Sequence, residues 1–471
     1  MLFSSTLFLL YFLPAFLTIY FIIPAKAKNP FTLFASILFF AWGAPKFVFV
    51  LSAAVIADFF IAQLIHKNEG RKRRVFLTIG VVFNVSVLLY FKYFNFFMDN
   101  VNVLMEGFGT NAIIFTRVAL PIGISFFVFH ELSYLLDVYR RVKPPMNHII
   151  NYGLYIFLFP QLIAGPIIRF SEIADQINER KFQDNIDNRI LGLFRFVIGL
   201  AKKVLIANVL GEEADKIFKL PLEELSSVSA WIGALCYTFQ IYFDFSGYSD
   251  MAIGLARAMG FIFPENFNHP YLAESITDFW RRWHMSLSRW MRDYLYISLG
   301  GNKVPVPRMY FNLCLVFLIS GFWHGAEWTF IFWGAYHGLF LVLDRLFLLK
   351  LTSYIGKIPR IIFTFFITVI GWIFFRSESM LQAFLFLKKM GEFSWSKYFF
   401  TPYLISVLAA AIALSFFLPF LNRNKLNNIE TFSVLSIRET AFSVLIIVLV
   451  MIICVGEISS SGFNPFIYFK F

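Results

Sequence analysis

The chain has 471 residues, of which 59% are hydrophobic, 20% aromatic and only 15% charged. Soluble domains run at roughly 45–50% apolar and about 25% charged, which excludes a water-soluble globular protein and requires most of this chain to face lipid or a protein interior within lipid. The net charge of +12 does not mark a nucleic-acid binder, because no soluble domain is left to present a basic face. Basic loops that set topology, and contacts to anionic lipid or ligand, account for it.

Apolar stretches of about 20 residues, each long enough to cross the hydrocarbon core as a helix, recur from end to end. Examples are VFVLSAAVIADFFIAQLI, VFLTIGVVFNVSVLLYF, IIFTFFITVIGWIFF and AFSVLIIVLVMIICV. Counted together, they predict an all-α polytopic membrane protein with about eleven spans plus re-entrant or interfacial helices. The first stretch, Leu7 to Ile23, has no basic residue before it and no small-residue cleavage site after it, so it reads as a retained span. Lys26 and Lys28 follow directly, which predicts an extracytoplasmic N-terminus and a cytoplasmic first loop. HKNEGRKRR (66–74) and YRRVKPP (139–145) then fall on the same side.

HELSY at 130–134 begins like a zinc-protease HExxH, but Tyr134 stands where the second ligand belongs. After FPQLIAGP, the segment 169–189 is polar for too long to lie in lipid and is expected as a cytoplasmic helix or loop. No repeat or linker divides the sequence, so residues 1–471 read as one integral-membrane domain. The stretch 244–338 holds its concentration of polar and aromatic motifs.

That stretch begins within QIYFDFSGYSDMAIG (240–254). Here Asp244 and Asp250 read either as helix caps, with Ser246 and Gly247 forming a turn before Asp250, or, for Asp244, as the lining of an interior polar cavity. Residues 275–296, SITDFWRRWHMSLSRWMRDYLY, read as one amphipathic helix. At 100° per residue Ile276, Phe279, Trp280, Trp283, Leu287, Trp290, Met291 and Tyr294 share one face, and Asp278, Arg281, Arg282, Ser286, Arg289, Arg292 and Asp293 the other. His284 falls on the edge of the aromatic face. The arginines either anchor the helix at headgroups or pair with the phosphates of an anionic cosubstrate.

In SGFWHGAEWTF (320–330), His324 lies between glycines and tryptophans. Gly321 with Gly325, and Gly334 with Gly338, follow the small-xxx-small spacing of closely approaching membrane helices. An intramembrane imidazole must satisfy a donor and an acceptor and relays protons near neutral pH, so His324 is either a functional group or a histidine bonded to a neighbouring helix. His337, followed by plain apolar sequence, carries the weaker functional signal. Cys236, Cys314 and Cys454 sit singly in apolar runs, without the spacing of a metal or redox motif. No nucleophile elbow, Walker A loop, dinucleotide fingerprint or H-x-x-x-x-D pattern occurs.

Three passages, YFDFSGYSDMAIGLA, SITDFWRRWHMSLSRWMRDYLYISLGGNK and FWHGAEWTFIFWGAYHG, together resemble the linked signatures of the membrane-bound O-acyltransferase superfamily, in particular its bacterial branch. The likeness is closest to the members serving alginate O-acetylation, and it extends to the opening MLFSSTLFLLYFLP and the ending NPFIYFKF. The resemblance implies a multi-helix fold around a central tunnel, where an activated acyl group is handed to an acceptor hydroxyl. It also implies that His324 matches the near-invariant histidine of the family and His284 the second histidine of the bacterial branch. Related members acetylate alginate, cellulose or peptidoglycan, or transfer D-alanine to lipoteichoic acid, usually with a separate extracytoplasmic protein.

The expectation is therefore an enzyme of a bacterial inner membrane that takes acetyl from acetyl-CoA as substrate, with no bound cofactor or metal. Its expected partners are an extracytoplasmic acetyl-accepting or transferase protein, a polysaccharide reached indirectly, and membrane lipid. His324 would act as general base or as a transient acyl carrier, with His284 opposite it. Asp244, Trp323 and Trp283 would line or position the site, and Arg281 and Arg282 would hold donor phosphates. A transporter or flippase of a lipid-linked sugar, and a scaffold for polymer-modifying proteins, are the competing classes. Neither has an acyl-transfer step for His324→Ala to abolish.

Overall fold

The computed structural model describes residues 1–180, 184–392, 394, 400–417 and 436–460, and every regular element among them is helical. Among the described residues five helices are long and apolar enough to cross a bilayer: Phe47–Lys67, Gly70–Gly107, Val306–His324, Lys357–Arg376 and Arg438–Ser460. Shorter apolar helices cover Phe8–Ile22 and Pro402–Phe417. The chain is a polytopic all-α membrane protein, and the apolar stretches quoted above lie in these helices. It divides into two compact units, residues 1–184 with 259–263, and residues 185–258 with 264–471.

The first unit contains α1 (Leu13–Ile22), α2 (Ala25–Gly43), α3 (Phe47–Lys67), α4 (Gly70–Leu88), α5 (Phe94–Gly107), α6 (Ile124–Tyr139), α7 (Ile149–Phe157) and α8 (Phe170–Asn178). Several polar side chains buried between these helices bond to one another or to backbone, which lowers the cost of burying them away from water. Asn84 on α4 donates to Asp58 on α3 at 2.8 Å, and Arg73 donates to the terminal carbonyls of α6, Val138 at 3.0 Å and Tyr139 at 2.6 Å. His130 of the HELSY stretch accepts the Ile168 backbone N–H at Nε2, at 3.3 Å. The polar segment 169–189 divides between α8 and the start of the next long helix, and its residues 181–183 lie outside the described set.

The second unit contains α9 (Ile186–Ala201), α10 (Asn208–Phe218), α11 (Ser227–Ala258), α12 (Ile276–Arg282), α13 (Met285–Trp290), α14 (Val306–His324), α15 (Trp328–Leu343), α16 (Lys357–Arg376), α17 (Met380–Gly391), α18 (Pro402–Ile412) and α19 (Ile437–Ser460). Its axis is α11, 32 residues long and so about 48 Å. The sequence QIYFDFSGYSDMAIG lies inside this one helix, so the cap-and-turn reading of Asp244, Ser246, Gly247 and Asp250 is wrong. Gly247 permits contact rather than a turn: a Cβ there would stand 2.7 Å from the carbonyl oxygen of Gly199 on α9. In the α14–α15 pair the glycine spacing works as expected, since a Cβ on Gly321 would stand 2.9 Å from Gly334 Cα. The cysteines are all free thiols, Cys236 and Cys454 buried and Cys314 half-buried.

Candidate functional site

The amphipathic segment 275–296 is not one helix. It breaks at Trp283–His284, where Trp283 is extended and His284 adopts the left-handed region at φ 43°, ψ 53°. A non-glycine residue held there costs of order 1–3 kcal/mol and persists only where surrounding contacts fix it. Those contacts come from residues 266–268, upstream of α12. Asn268 N–H donates to the Arg282 carbonyl and Met285 N–H to the Asn266 carbonyl, both at 2.9 Å. The expected aromatic face survives the break, for all eight of its residues are buried. Ser286, assigned to the polar face, is buried as well.

Asn266 organises this corner with its side chain. Its Oδ1 accepts from the Ser286 backbone N–H at 3.3 Å and from Ser286 Oγ at 2.8 Å, while its Nδ2 donates to Ser249 Oγ on α11 at 3.0 Å. A backbone N–H can only donate, so the amide orientation follows from the network. His284 Nδ1 lies 3.1 Å from that same Oδ1. Nδ1 must therefore carry the hydrogen, and the lone pair sits on Nε2. His284 is fully buried, edge-on to Phe245 at 4.7 Å, and its Nε2 has no hydrogen-bond partner among the described residues.

His324 is the last residue of α14, which stops because Gly325 is extended before α15 begins at Trp328. The ring centroids of His324 and His284 are 6.5 Å apart, inclined at 58°. Trp323 lies 4.8 Å from His324 and 6.4 Å from His284, and Trp333 and Phe375 close the far side of His324 at 5.2 and 5.3 Å. The two histidines, 40 positions apart in sequence, thus share one buried aromatic pocket. Trp283 is buried beside it, stacked on Phe279 at 5.6 Å and packed on Trp372 at 4.8 Å and Phe267 at 5.0 Å. His337 is fully buried and accepts from Trp280 Nε1 at 3.3 Å, bonding that ties α15 to α12.

Asp244 is buried with Oδ1 2.8 Å from Lys203 Nζ, an ion pair joining α11 to the π-helical segment Lys202–Ala207 that continues α9. Six residues further along α11, Asp250 meets Arg195 at 2.8 Å and Lys202 at 2.6 Å, and Arg195 also binds Glu265 at 2.6 Å. This network anchors the segment that carries Asn266. Arg281 is exposed, whereas Arg282 Nε pairs with Asp278 at 2.9 Å. Burial first, and then the cations Lys202 and Arg282, hold the nearby His269 imidazole below its ordinary pKa. Among the described residues no group of three or more His, Cys, Asp or Glu side chains is placed to hold a metal ion.

The residues missed in the sequence are Asn266, Ser249, Ser286, Trp333 and Phe375. Asn266 stands in PENFNHPY, where only a polar side chain between aromatic residues hinted at a buried role.

Comparison with known proteins gives a family match over residues 34–381, described as the membrane-bound O-acyltransferase family. A protein of Azotobacter vinelandii named "Probable alginate O-acetylase" is 45% identical over 382 residues, covering 81% of this chain and 76% of that protein. A peptidoglycan O-acetyltransferase of Helicobacter pylori is 40% identical over 425 residues, covering 83% of this chain and 80% of that protein. A teichoic acid D-alanyltransferase of Bacillus subtilis is 29% identical over 244 residues, covering 48% and 59%.

Proposed function

The chain belongs to the membrane-bound O-acyltransferase family, and we propose that it passes acetyl from cytoplasmic acetyl-CoA across a bacterial inner membrane for O-acetylation of an alginate-like extracytoplasmic polysaccharide. The pairing of His284 and His324 in one buried aromatic pocket is the observation that carries this reading. Ring centroids 6.5 Å apart put both imidazoles within reach of one bound acceptor molecule.

In this mechanism His324 takes the proton of the acceptor hydroxyl as general base, a role worth about 10² to 10⁴ in rate. The hydroxyl oxygen forms its bond to the acetyl carbon, the carbon–sulfur bond breaks, and the proton passes on to the departing thiolate, so charge and atoms balance. His284, held with Nδ1–H on Asn266, offers Nε2 as a fixed acceptor to a second O–H or N–H donor of the bound acceptor molecule, opposite His324. The aromatic lining, Trp323 and Trp283 among it, excludes water and protects the thioester. Arg281 meets the donor phosphates, with Arg282 beside it and charge-compensated by Asp278. Asp244 acts at a distance, holding α11 through Lys203. A separate extracytoplasmic protein completes the transfer to polymer.

Identity to the probable alginate O-acetylase supports the polysaccharide acceptor. The 40% identity to the peptidoglycan O-acetyltransferase supports peptidoglycan as the second reading. The test is ester-linked acetate on the extracellular polymers of a deletion strain complemented with wild type or His324→Ala at matched membrane abundance. Wild type restores acetate and His324→Ala does not; full restoration by His324→Ala would refute the mechanism. The polymer that regains acetate identifies the acceptor.

A further inference from the structure

The first unit carries a basic cavity of about 930 Å³ where α4 begins and α6 ends, lined by Arg71, Arg73, Arg74 and Arg141 with Glu69 as its acidic member. The arginines are not equivalent. Arg141 pairs with Glu69, and Arg73 is buried, spends Nη2 on the Val138 and Tyr139 carbonyls, and has Nη1 3.7 Å from Glu69. Arg71 and Arg74 are exposed and form no ion pair among the described residues. Arg73 Nε is buried without a hydrogen-bond partner there, a donor that a neighbouring anion would satisfy. Four guanidinium groups against one carboxylate leave the cavity strongly cationic, and guanidinium forks match phosphate oxygens.

The wall is not only charged. Val75 and Ile79 line the same cavity, and with Val82 they form an exposed apolar stripe, 47%, 50% and 57% accessible, down one face of α4. Spacing of four and three residues puts them in line over about 10 Å of helix. A soluble polyphosphate uses the arginines and has no use for the stripe. A phospholipid uses both, with its phosphate among the arginines and an acyl chain along Val75, Ile79 and Val82.

We propose that this cavity is a binding site for an anionic phospholipid. The site lies wholly in the first unit and contains none of the residues assigned to acyl transfer, so its occupancy is tested without reference to catalysis.

The test uses the full-length chain in detergent micelles, titrated with phosphatidylglycerol or phosphatidylcholine and read by native mass spectrometry. Wild type retains phosphatidylglycerol over phosphatidylcholine, and Arg71→Ala/Arg74→Ala weakens that retention about thirtyfold, from about fivefold per surface arginine. Ile79→Ser weakens it severalfold, while Arg117→Ala, a control at an exposed arginine paired with Asp99, leaves it unchanged. Equal thermal unfolding of all variants shows that the losses are local. Unchanged phosphatidylglycerol retention in the double variant overturns the site. Displacement of the lipid by inorganic pyrophosphate, together with no effect of Ile79→Ser, would mean that the arginines hold free phosphates, and overturns the lipid assignment.

Discussion

Asn266→Ala isolates the feature on which the reactivity of His284 rests. The substitution removes the acceptor of His284 Nδ1, Ser286 N and Ser286 Oγ and the donor to Ser249, at 3.1, 3.3, 2.8 and 3.0 Å. Four net hydrogen bonds at about 1 kcal/mol each predict a stability loss of about 4 kcal/mol. Freed from Asn266, the imidazole populates both tautomers and turns, and kcat falls about 10²-fold, equivalent to about 2.7 kcal/mol of transition-state stabilisation. Asn266→Asp separates chemistry from folding. It keeps an Oδ1 acceptor but sets a negative charge beside the ring, which favours imidazolium, so the proton leaves His284 only at higher pH. Burial holds the wild-type imidazole pKa down at about 3, and the new carboxylate raises it by about one to three units, so an acid limb that wild type lacks enters the kcat/KM profile near pH 5. The assay is acetyl transfer by purified enzyme in lipid nanodiscs from pH 5 to 9, normalised to folded protein. If Asn266→Asp leaves the profile in place and Asn266→Ala keeps kcat within about twofold of wild type, the tautomer reasoning fails.

Asp244→Asn breaks a fully buried ion pair and lowers stability by about 3–5 kcal/mol, and Asp244→Leu with Lys203→Met recovers most of it; detergent-resistant unfolding midpoints measure both. Gly321→Val drives side-chain atoms into Gly334 and the Phe330 carbonyl, costing at least the 1–3 kcal/mol of ordinary overpacking and displacing His324, so thermal stability and acetyl transfer fall together. Arg281→Ala raises KM for acetyl-CoA severalfold with kcat held, more at low salt than at high. An unchanged KM would remove Arg281 from the donor site.

Hydropathy made the long helices legible because crossing lipid demands continuous apolar length, and α3, α4, α14, α16 and α19 show it directly. The α14–α15 packing was legible from Gly321 and Gly334, where small residues at helical spacing have one physical use in lipid. Ser246–Gly247 obeys the same rule against Gly199, yet resembles a turn because Ser-Gly is also turn chemistry. The break at His284 was hidden for a different reason. Trp280, Leu287 and Trp290 keep helical phase on both sides of it, and what imposes the break is the separate segment 266–268, whose carbonyl and N–H groups take up the bonds that α12 and α13 forgo. Periodicity records which face is apolar. It does not record whether the backbone between two turns is continuous.

The break also explains why a histidine occupies position 284. A continuous helix would place residue 284 one turn beyond Trp280 and point it along the helix surface. The left-handed kink, together with Asn266, instead turns the ring towards Phe245, Trp323 and His324. Glycine would relieve the strain but supply no imidazole, and asparagine tolerates the backbone but leaves no basic nitrogen. Histidine at this site therefore costs backbone strain and leaves a buried nitrogen without a partner. Both costs are offset when an O–H or N–H donor of the bound acceptor arrives at Nε2, since that bond satisfies the lone pair and holds the acceptor with its reacting hydroxyl towards His324.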